Sequence, residues 1–158
     1  MKEYPYEIKE YYSPGLNSLK RVYTKHPNFN GNTRLIYELI FDHWNAKFGY
    51  AWPTLYELAR ESGLSISGVK TQIQTLIKLD LIAQKKADVN GRKNNVYYLN
   101  RPVATLEEFY RKFPDVREKA EAKLRRIDDE ERADKLRWGG GKEVEVVPEK
   151  DDGVESWF

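Results

Sequence analysis

Cysteine is absent from this sequence of 158 residues, and histidine occurs only twice, as His26 and His43. Without cysteine the chain has no disulfide framework and no cysteine-containing zinc site. No second histidine lies near His43 in the sequence, so we interpret it as an ordinary histidine at the edge of a core. We predict no metal site and no cofactor.

Long apolar runs are also missing. No run approaches the roughly 20 residues that cross a membrane, and the beginning of the chain lacks the apolar core of a signal peptide. We therefore expect a cytoplasmic protein with no membrane partner. The hydrophobic content is 40% and the charged content 33%, which is typical of a compact domain that carries long solvated segments.

The net charge of +2 conceals an asymmetry along the chain. Residues 1–104 contain 15 Lys and Arg against 9 Asp and Glu, whereas residues 105–158 contain 12 against 16. A basic body followed by an acidic end fits a nucleic-acid-binding protein whose tail has another task.

The segment from Tyr50 to Ile82 has the pattern of a helix-turn-helix. Thr54 and Glu57 form a capping-box pattern before a short helix, and Gly63 ends that helix. Ser65 is then placed to cap a second helix. Apolar residues recur in this second helix at helical spacing and predict one buried face: Ile66, Val69, Ile73, Leu76 and Ile77.

The opposite face of the second helix carries side chains with hydrogen-bond donors and acceptors and no carboxylate. Such a face suits a helix in the major groove of DNA. The candidate DNA-binding residues of this segment are Ser65, Ser67, Lys70, Thr71, Gln74, Thr75 and Lys78. Two short helices joined by a glycine turn also occur in bundles that never contact nucleic acid.

A hairpin follows the two helices. Asn90-Gly91 favours a tight turn, because both residues tolerate positive φ. Helix, turn, helix and hairpin is the order of a winged helix, so we predict a mostly α-helical fold with a small β-hairpin (α+β). Four basic residues are predicted to cluster around the hairpin tip and to contact phosphate: Lys85, Lys86, Arg92 and Lys93.

These residues resemble a known family. The matching positions are Ala51-Trp52-Pro53-Thr54, Glu57-Leu58-Ala59, Gly63-Leu64-Ser65, Val69 and Leu79-Asp80-Leu81-Ile82. The pattern is similar to that of winged-helix domains in phage and plasmid replication proteins, including RepA-type plasmid initiators and DnaD-like primosomal proteins. Asp80 stands where that family has glycine, and Ser67-Gly68 replaces a polar or basic pair.

The remainder of the chain divides into segments around this domain. Residues 1–31 are predicted to form an N-terminal arm, 32–102 the winged-helix domain, 103–137 a charged helical extension and 138–158 a flexible acidic tail. The first core helix is predicted to be capped by Asn32 and to run through Trp44 to about Phe48-Gly49.

The extension reads as an exposed helix. Four acid-to-base pairs spaced i to i+4 support it, namely Asp115 with Lys119, Glu121 with Arg125, Asp128 with Arg132 and Glu131 with Lys135. The arm between Tyr4 and Tyr12 and this helix are the two segments we expect to join copies of the chain, if it is a homodimer. The bland alternatives are a packed arm and a solvated brace.

Three classes of function are compatible with these observations. The first is a non-enzymatic protein that binds double-stranded DNA in replication initiation or primosome assembly of a phage, plasmid or bacterium, which is what the family resemblance implies. Transcriptional regulation needs the same helix and wing, and a winged helix can also serve only as a protein-docking module. An enzyme is disfavoured, because origin-nicking enzymes require two adjacent histidines that this chain lacks.

The final residues generate a testable prediction. Trp157 and Phe158 follow a run of acids and form a candidate docking peptide for a replication partner; the alternative is a solubilising tail. Deleting both residues should leave DNA affinity unchanged and abolish a pull-down interaction with that partner. An identical set of captured partners after the deletion would count against docking.

Overall fold

The computed structural model describes residues 4–139, so the predicted tail and its Trp157 and Phe158 lie outside the described residues. The chain divides into two compact units, one ending at Ala120 and one beginning at Glu121. The elements are α1 Asn17–Arg21, a 3-10 turn Tyr23–Lys25, α2 Gly31–Asp42, α3 Leu55–Ser62, α4 Ile66–Lys78, β1 Ile82–Val89, β2 Arg92–Leu99, α5 Leu106–Lys112 and α6 Pro114–Arg137.

The predicted fold class is confirmed. The first unit is mostly helical and carries one antiparallel two-stranded hairpin after a helix-turn-helix, which is the layout of a winged helix. Its core is formed chiefly where α2, α3 and α4 pack together, and these side chains are fully or almost fully buried: Ile36, Ile40, Leu58, Val69, Ile73 and Leu76. No helix between residues 4 and 139 is long and apolar enough to cross a membrane.

The first core helix is bounded differently from the prediction. Asn30, not Asn32, caps α2, because its Oδ1 accepts the backbone N–H of Asn32 and of Thr33, and the Thr33 hydroxyl accepts the N–H of Asn30 in return. This reciprocal capping box satisfies three N–H groups that the start of a helix otherwise leaves unpaired.

The predicted end of α2 near Phe48-Gly49 is wrong, since the helix ends at Asp42. Asn45 accepts the backbone N–H of Lys47 and of Phe48 through its Oδ1, and this local bonding competes with continued helix. Trp44 consequently lies outside the helix and is 48% exposed.

The helix-turn-helix forms as its capping residues predict. The Thr54 hydroxyl accepts the N–H of Glu57 at 3.0 Å and begins α3, and Gly63 ends it with a left-handed φ of 74°. The Ser65 hydroxyl accepts the N–H of Gly68 at 3.0 Å and begins α4.

Two details of α4 depart from its sequence pattern. Ile66 was assigned to the buried face but is 39% exposed, because it occupies the first turn, where the helix has not yet entered the core. Gly68 sits where an added Cβ would lie 3.1 Å from the Ser65 hydroxyl oxygen. A side chain there would therefore crowd the atom that caps the helix.

The hairpin turns at Asn90 and Gly91, as predicted. Both residues have positive φ, 53° and 78°, as a type I′ turn requires. Ile82 pairs with Leu99 at the base and Val89 with Arg92 at the tip. On the core side the base is fixed by Tyr37, whose hydroxyl donates to the Asn100 carbonyl at 3.0 Å. Burial raises the pKa of Tyr37 to about 12, so this donor keeps its proton at neutral pH.

Asp80 forms the joint between α4 and the hairpin. Its φ of 57° is left-handed, which explains why the similar family has glycine there. The N–H of Leu81 bonds the Leu76 carbonyl and the N–H of Asp80 bonds the Ile77 carbonyl, as in a Schellman motif. The Asp80 carboxylate also accepts from Asn100 Nδ2 at 3.2 Å and pairs with Lys112 Nζ at 2.8 Å.

The extension contains two helices separated at Phe113. The Thr105 hydroxyl caps α5, and Pro114 is the first residue of α6, a position where its missing N–H costs nothing. In the second unit Glu131 pairs with Lys135 at 2.9 Å as predicted, and this hydrogen bond lowers the pKa of Glu131. Arg132 pairs with Asp129 at 3.6 Å rather than with Asp128.

The joint at Asp80 yields a stability prediction. Asp80→Ala loses the contacts to Asn100 and Lys112 and keeps a strained φ, so the free energy of unfolding should fall by about 1 to 2 kcal/mol. Asp80→Gly loses the same contacts but relieves the strain, and should stay within about 1 kcal/mol of the wild type. Urea unfolding measures both, with Lys112→Met as the control for the ion pair alone. Equal destabilisation by Ala and Gly would show that backbone strain at Asp80 is negligible.

Candidate nucleic-acid interface

The burial of one face of α4 determines which side chains it offers to solvent. Val69, Ile73 and Leu76 are buried against the rest of the first unit. The predicted reading residues consequently lie on the outer side, where all but the half-buried Thr75 are exposed: Ser65, Ser67, Lys70, Thr71, Gln74, Thr75 and Lys78. No carboxylate occurs between Ile66 and Lys78.

Hydrogen bonds already made within α4 limit the chemistry of its outer face. The Thr71 hydroxyl donates to the Ser67 carbonyl at 3.0 Å, and the Thr75 hydroxyl donates to the Thr71 carbonyl at 3.1 Å. Each threonine therefore has only acceptor capacity left for a ligand. The amide of Gln74 and the ammonium group of Lys70 are the groups on this face that can donate to a base edge.

The Ser65 side chain serves the helix before it serves a ligand. Its hydroxyl oxygen accepts the Gly68 N–H and lies 3.2 Å from the Ser67 hydroxyl oxygen. The N-terminus of a helix attracts phosphate through its unpaired N–H groups. Ser65 is accordingly placed to orient the beginning of α4, with Ser67 beside it at the same end.

A cleft of about 220 Å³ separates α4 from the hairpin. Lys70 and Gln74 line it from the helix, and Gln84 and Asn95 line it from the two strands. Sequence reasoning missed both strand residues. The alternation of side chains along a strand would have found them, since Gln84 lies two positions before Lys86 on the same face.

The four basic residues of the hairpin do not form one cluster at its tip, and this part of the prediction is wrong. Successive side chains of a strand point to opposite faces. In the observed register Lys86 is opposite Asn95 and Lys93 is opposite Asp88, so both lysines share the face of Gln84. Lys85 and Arg92 project from the other face.

The two faces of the hairpin have different surroundings. Lys86 and Lys93 line a second cleft, of about 250 Å³, together with Thr54 and the exposed Tyr56 of α3. Lys85 instead lies 5.2 Å from the centre of the Tyr98 ring, a cation–π contact on the opposite face. The face with Lys86 and Lys93 is therefore the one that continues the outer surface of α4.

The acids near this surface are few. Residues 63–101 contain seven Lys and Arg against Asp80 and Asp88. The Asp80 carboxylate is paired with Lys112, and Asp88 stands across the hairpin from Lys93. The surface formed by α4 and the hairpin is thus basic, as contact with a phosphate backbone requires.

Comparison with known proteins places a helix-turn-helix in the same part of the chain. Residues 28–82 match the model of a family described as a helix-turn-helix domain, a range that takes in α2, α3 and α4. The family match is therefore confined to the winged-helix region.

One solved structure with similarity is a "Possible transcriptional regulator from Methanosarcina mazei Go1". It shares 10% sequence identity over 65% of this chain and 79% of that chain, with a TM-score of 0.38. Similarity at this level is no basis for a shared function. No curated protein sequence matches this chain.

The split of the basic residues predicts unequal effects of two matched double substitutions. Lys86→Ala with Lys93→Ala removes the pair on the α4 side and should reduce the log-log salt slope of DNA binding by about 1.8, or 0.9 for each phosphate contact. Lys85→Ala with Arg92→Ala removes the same charge from the opposite face and should change the slope less. Fluorescence anisotropy at several salt concentrations measures both. Equal slopes for the two variants would contradict the assignment of faces.

Proposed function

We propose that this protein binds double-stranded DNA, with α4 in the major groove and the hairpin as a wing on the adjacent backbone. The observation that carries the proposal is the cleft between α4 and the hairpin, since Lys70 and Gln74 meet Gln84 and Asn95 there while Lys86 and Lys93 continue the same surface. Donors from two elements thus converge on one carboxylate-poor face.

The dimensions of α4 agree with this role. Its 13 residues span roughly 20 Å at 1.5 Å per residue, and the major groove is about 12 Å wide and admits one helix. A strand of DNA backbone leaving the groove would pass the cleft between α4 and the hairpin. Lys86 and Lys93 would hold it there by charge, whereas Gln84 and Asn95 could bond phosphate or sugar oxygens.

The hydrogen-bond inventory of α4 assigns different tasks to its residues. Gln74 can bond the major-groove edge of adenine bidentately, and such a pair discriminates by roughly 1 to 3 kcal/mol. Thr71 and Thr75, whose protons are already donated to the backbone, can only accept from a base amino group or place a methyl against thymine. Lys70 and Lys78 flank this face and would contact phosphate or guanine.

The biological process follows from the resemblance to phage and plasmid replication proteins. We infer a non-enzymatic role in replication initiation or primosome assembly, acting in the cytoplasm. Transcriptional regulation is the second candidate, because the same surface would serve at an operator. Mapping bound sites across the DNA that neighbours the gene separates the two: sites at an origin support replication, and sites at promoters support regulation.

The third candidate, a module that docks only proteins, makes the opposite prediction about DNA. A protein-docking surface has no need of the carboxylate-free face of α4 or of Lys86 and Lys93. Absence of measurable duplex binding at low salt would support that candidate.

Gln74 provides the direct test of reading by α4. Gln74→Ala should narrow the affinity gap between selected and random duplexes, by roughly 1 to 3 kcal/mol if the amide reads adenine, and leave the salt slope nearly unchanged. Gln74→Glu places a carboxylate against DNA and should weaken binding to every sequence. Anisotropy titrations with a duplex selected from a random library give both values.

The side chain is exposed, so neither change should alter thermal stability, and melting temperature serves as the control. If Gln74→Ala leaves discrimination intact and the lysine substitutions abolish binding, the protein binds DNA without reading bases. If Gln74→Glu binds as tightly as the wild type, α4 does not face DNA.

A further inference from the structure

A cluster of potential metal ligands lies between α2 and α3, apart from the residues of the DNA interface. His43 follows the last residue of α2, and Glu57 and Glu61 lie one helical turn apart on α3. One ligand atom from each of the three residues lies within 4.8 Å of the other two. The closest pair is His43 Nε2 and Glu61 Oε1, at 2.7 Å.

The position of His43 depends on the early end of α2. Because the helix ends at Asp42, the imidazole leaves the end of α2 at the point where α3 passes. Glu57 and Glu61, spaced i to i+4, necessarily share one face of α3. The folding of α2 against α3 therefore brings together three groups that are 14 to 18 positions apart in sequence.

The electrostatic balance of the cluster favours a cation. Two carboxylates at i and i+4 repel each other on a helix. Among residues 4–139 no lysine or arginine forms an ion pair with either glutamate, and His43 is the group that Glu61 contacts. A divalent ion would neutralise both carboxylates at once.

The cluster also has room for an ion and its remaining ligand. His43 and Glu57 line an open cleft of about 200 Å³ together with Asn45, Trp52 and Pro53. Tetrahedral zinc, with bonds of about 2.0 to 2.2 Å, holds its ligand atoms roughly 3.4 Å apart. Small side-chain rotations would bring the three atoms from their present separations to that distance.

We propose that His43, Glu57 and Glu61 bind a divalent transition-metal ion of the zinc type. Neutral His43 would coordinate through Nε2 and each glutamate through one carboxylate oxygen, leaving one position open to water. An imidazole ligand favours zinc or cobalt over magnesium and calcium, which prefer oxygen ligands. The ion would connect the end of α2 to the first helix of the helix-turn-helix.

The test is calorimetric titration of the full, tag-free chain with zinc chloride after treatment with a chelator. One equivalent should bind, and saturating zinc should raise the melting temperature, because an ion that binds only the folded state stabilises it. Cobalt(II) should give the visible absorption of a four- or five-coordinate site. Magnesium at the same concentration should produce neither change.

The chain provides a matched control in its only other histidine. His43→Ala, Glu57→Gln and Glu61→Gln should each weaken zinc binding at least tenfold, whereas His26→Ala should leave it unchanged. Circular dichroism of each variant without metal verifies folding. Zinc binding that survives all three substitutions, or that is lost equally in His26→Ala, would overturn the proposal, as would the absence of any binding to the wild-type chain.

Discussion

The burial of one stripe of α4 is the constraint on which the arrangement of this protein depends. Val69, Ile73 and Leu76 pack into the core beside α2 and α3, and this packing fixes the rotation of the helix about its axis. A rotation of α4 that exposed them would cost roughly 1.5 to 3 kcal/mol for each large side chain. The polar face is therefore held outward by the apolar one.

The position of the hairpin relative to that face depends on the joint at Asp80. The reversed backbone there lets Leu81 fold back onto the core, where it is fully buried, and the chain then enters β1 directly. Asn100 bonds Asp80 where the hairpin returns, so both ends of the wing are tied to the end of α4. The cleft with Lys70 and Gln84 results from this short connection.

The features predicted correctly are those that short-range interactions decide. Thr54 and Ser65 cap helices by accepting N–H groups three residues ahead, and Asn90-Gly91 turns because its own two residues accept positive φ. The first core helix was predicted less well. Asn30 and Asn32 are both good caps, and only the reciprocal bond with Thr33, itself anchored to Gln72 of α4 at 2.7 Å, selects Asn30.

By itself the sequence determined the helix-turn-helix, the hairpin and the carboxylate-free face of α4, because hydrophobic period, caps and turn residues act within a few positions. Only the tertiary structure decided which hairpin lysines stand beside α4 and which residues line the cleft, because these depend on strand register. It also decided that His43 meets Glu57 and Glu61. That meeting requires two helices to pack, and no local pattern records the distance between side chains on different elements.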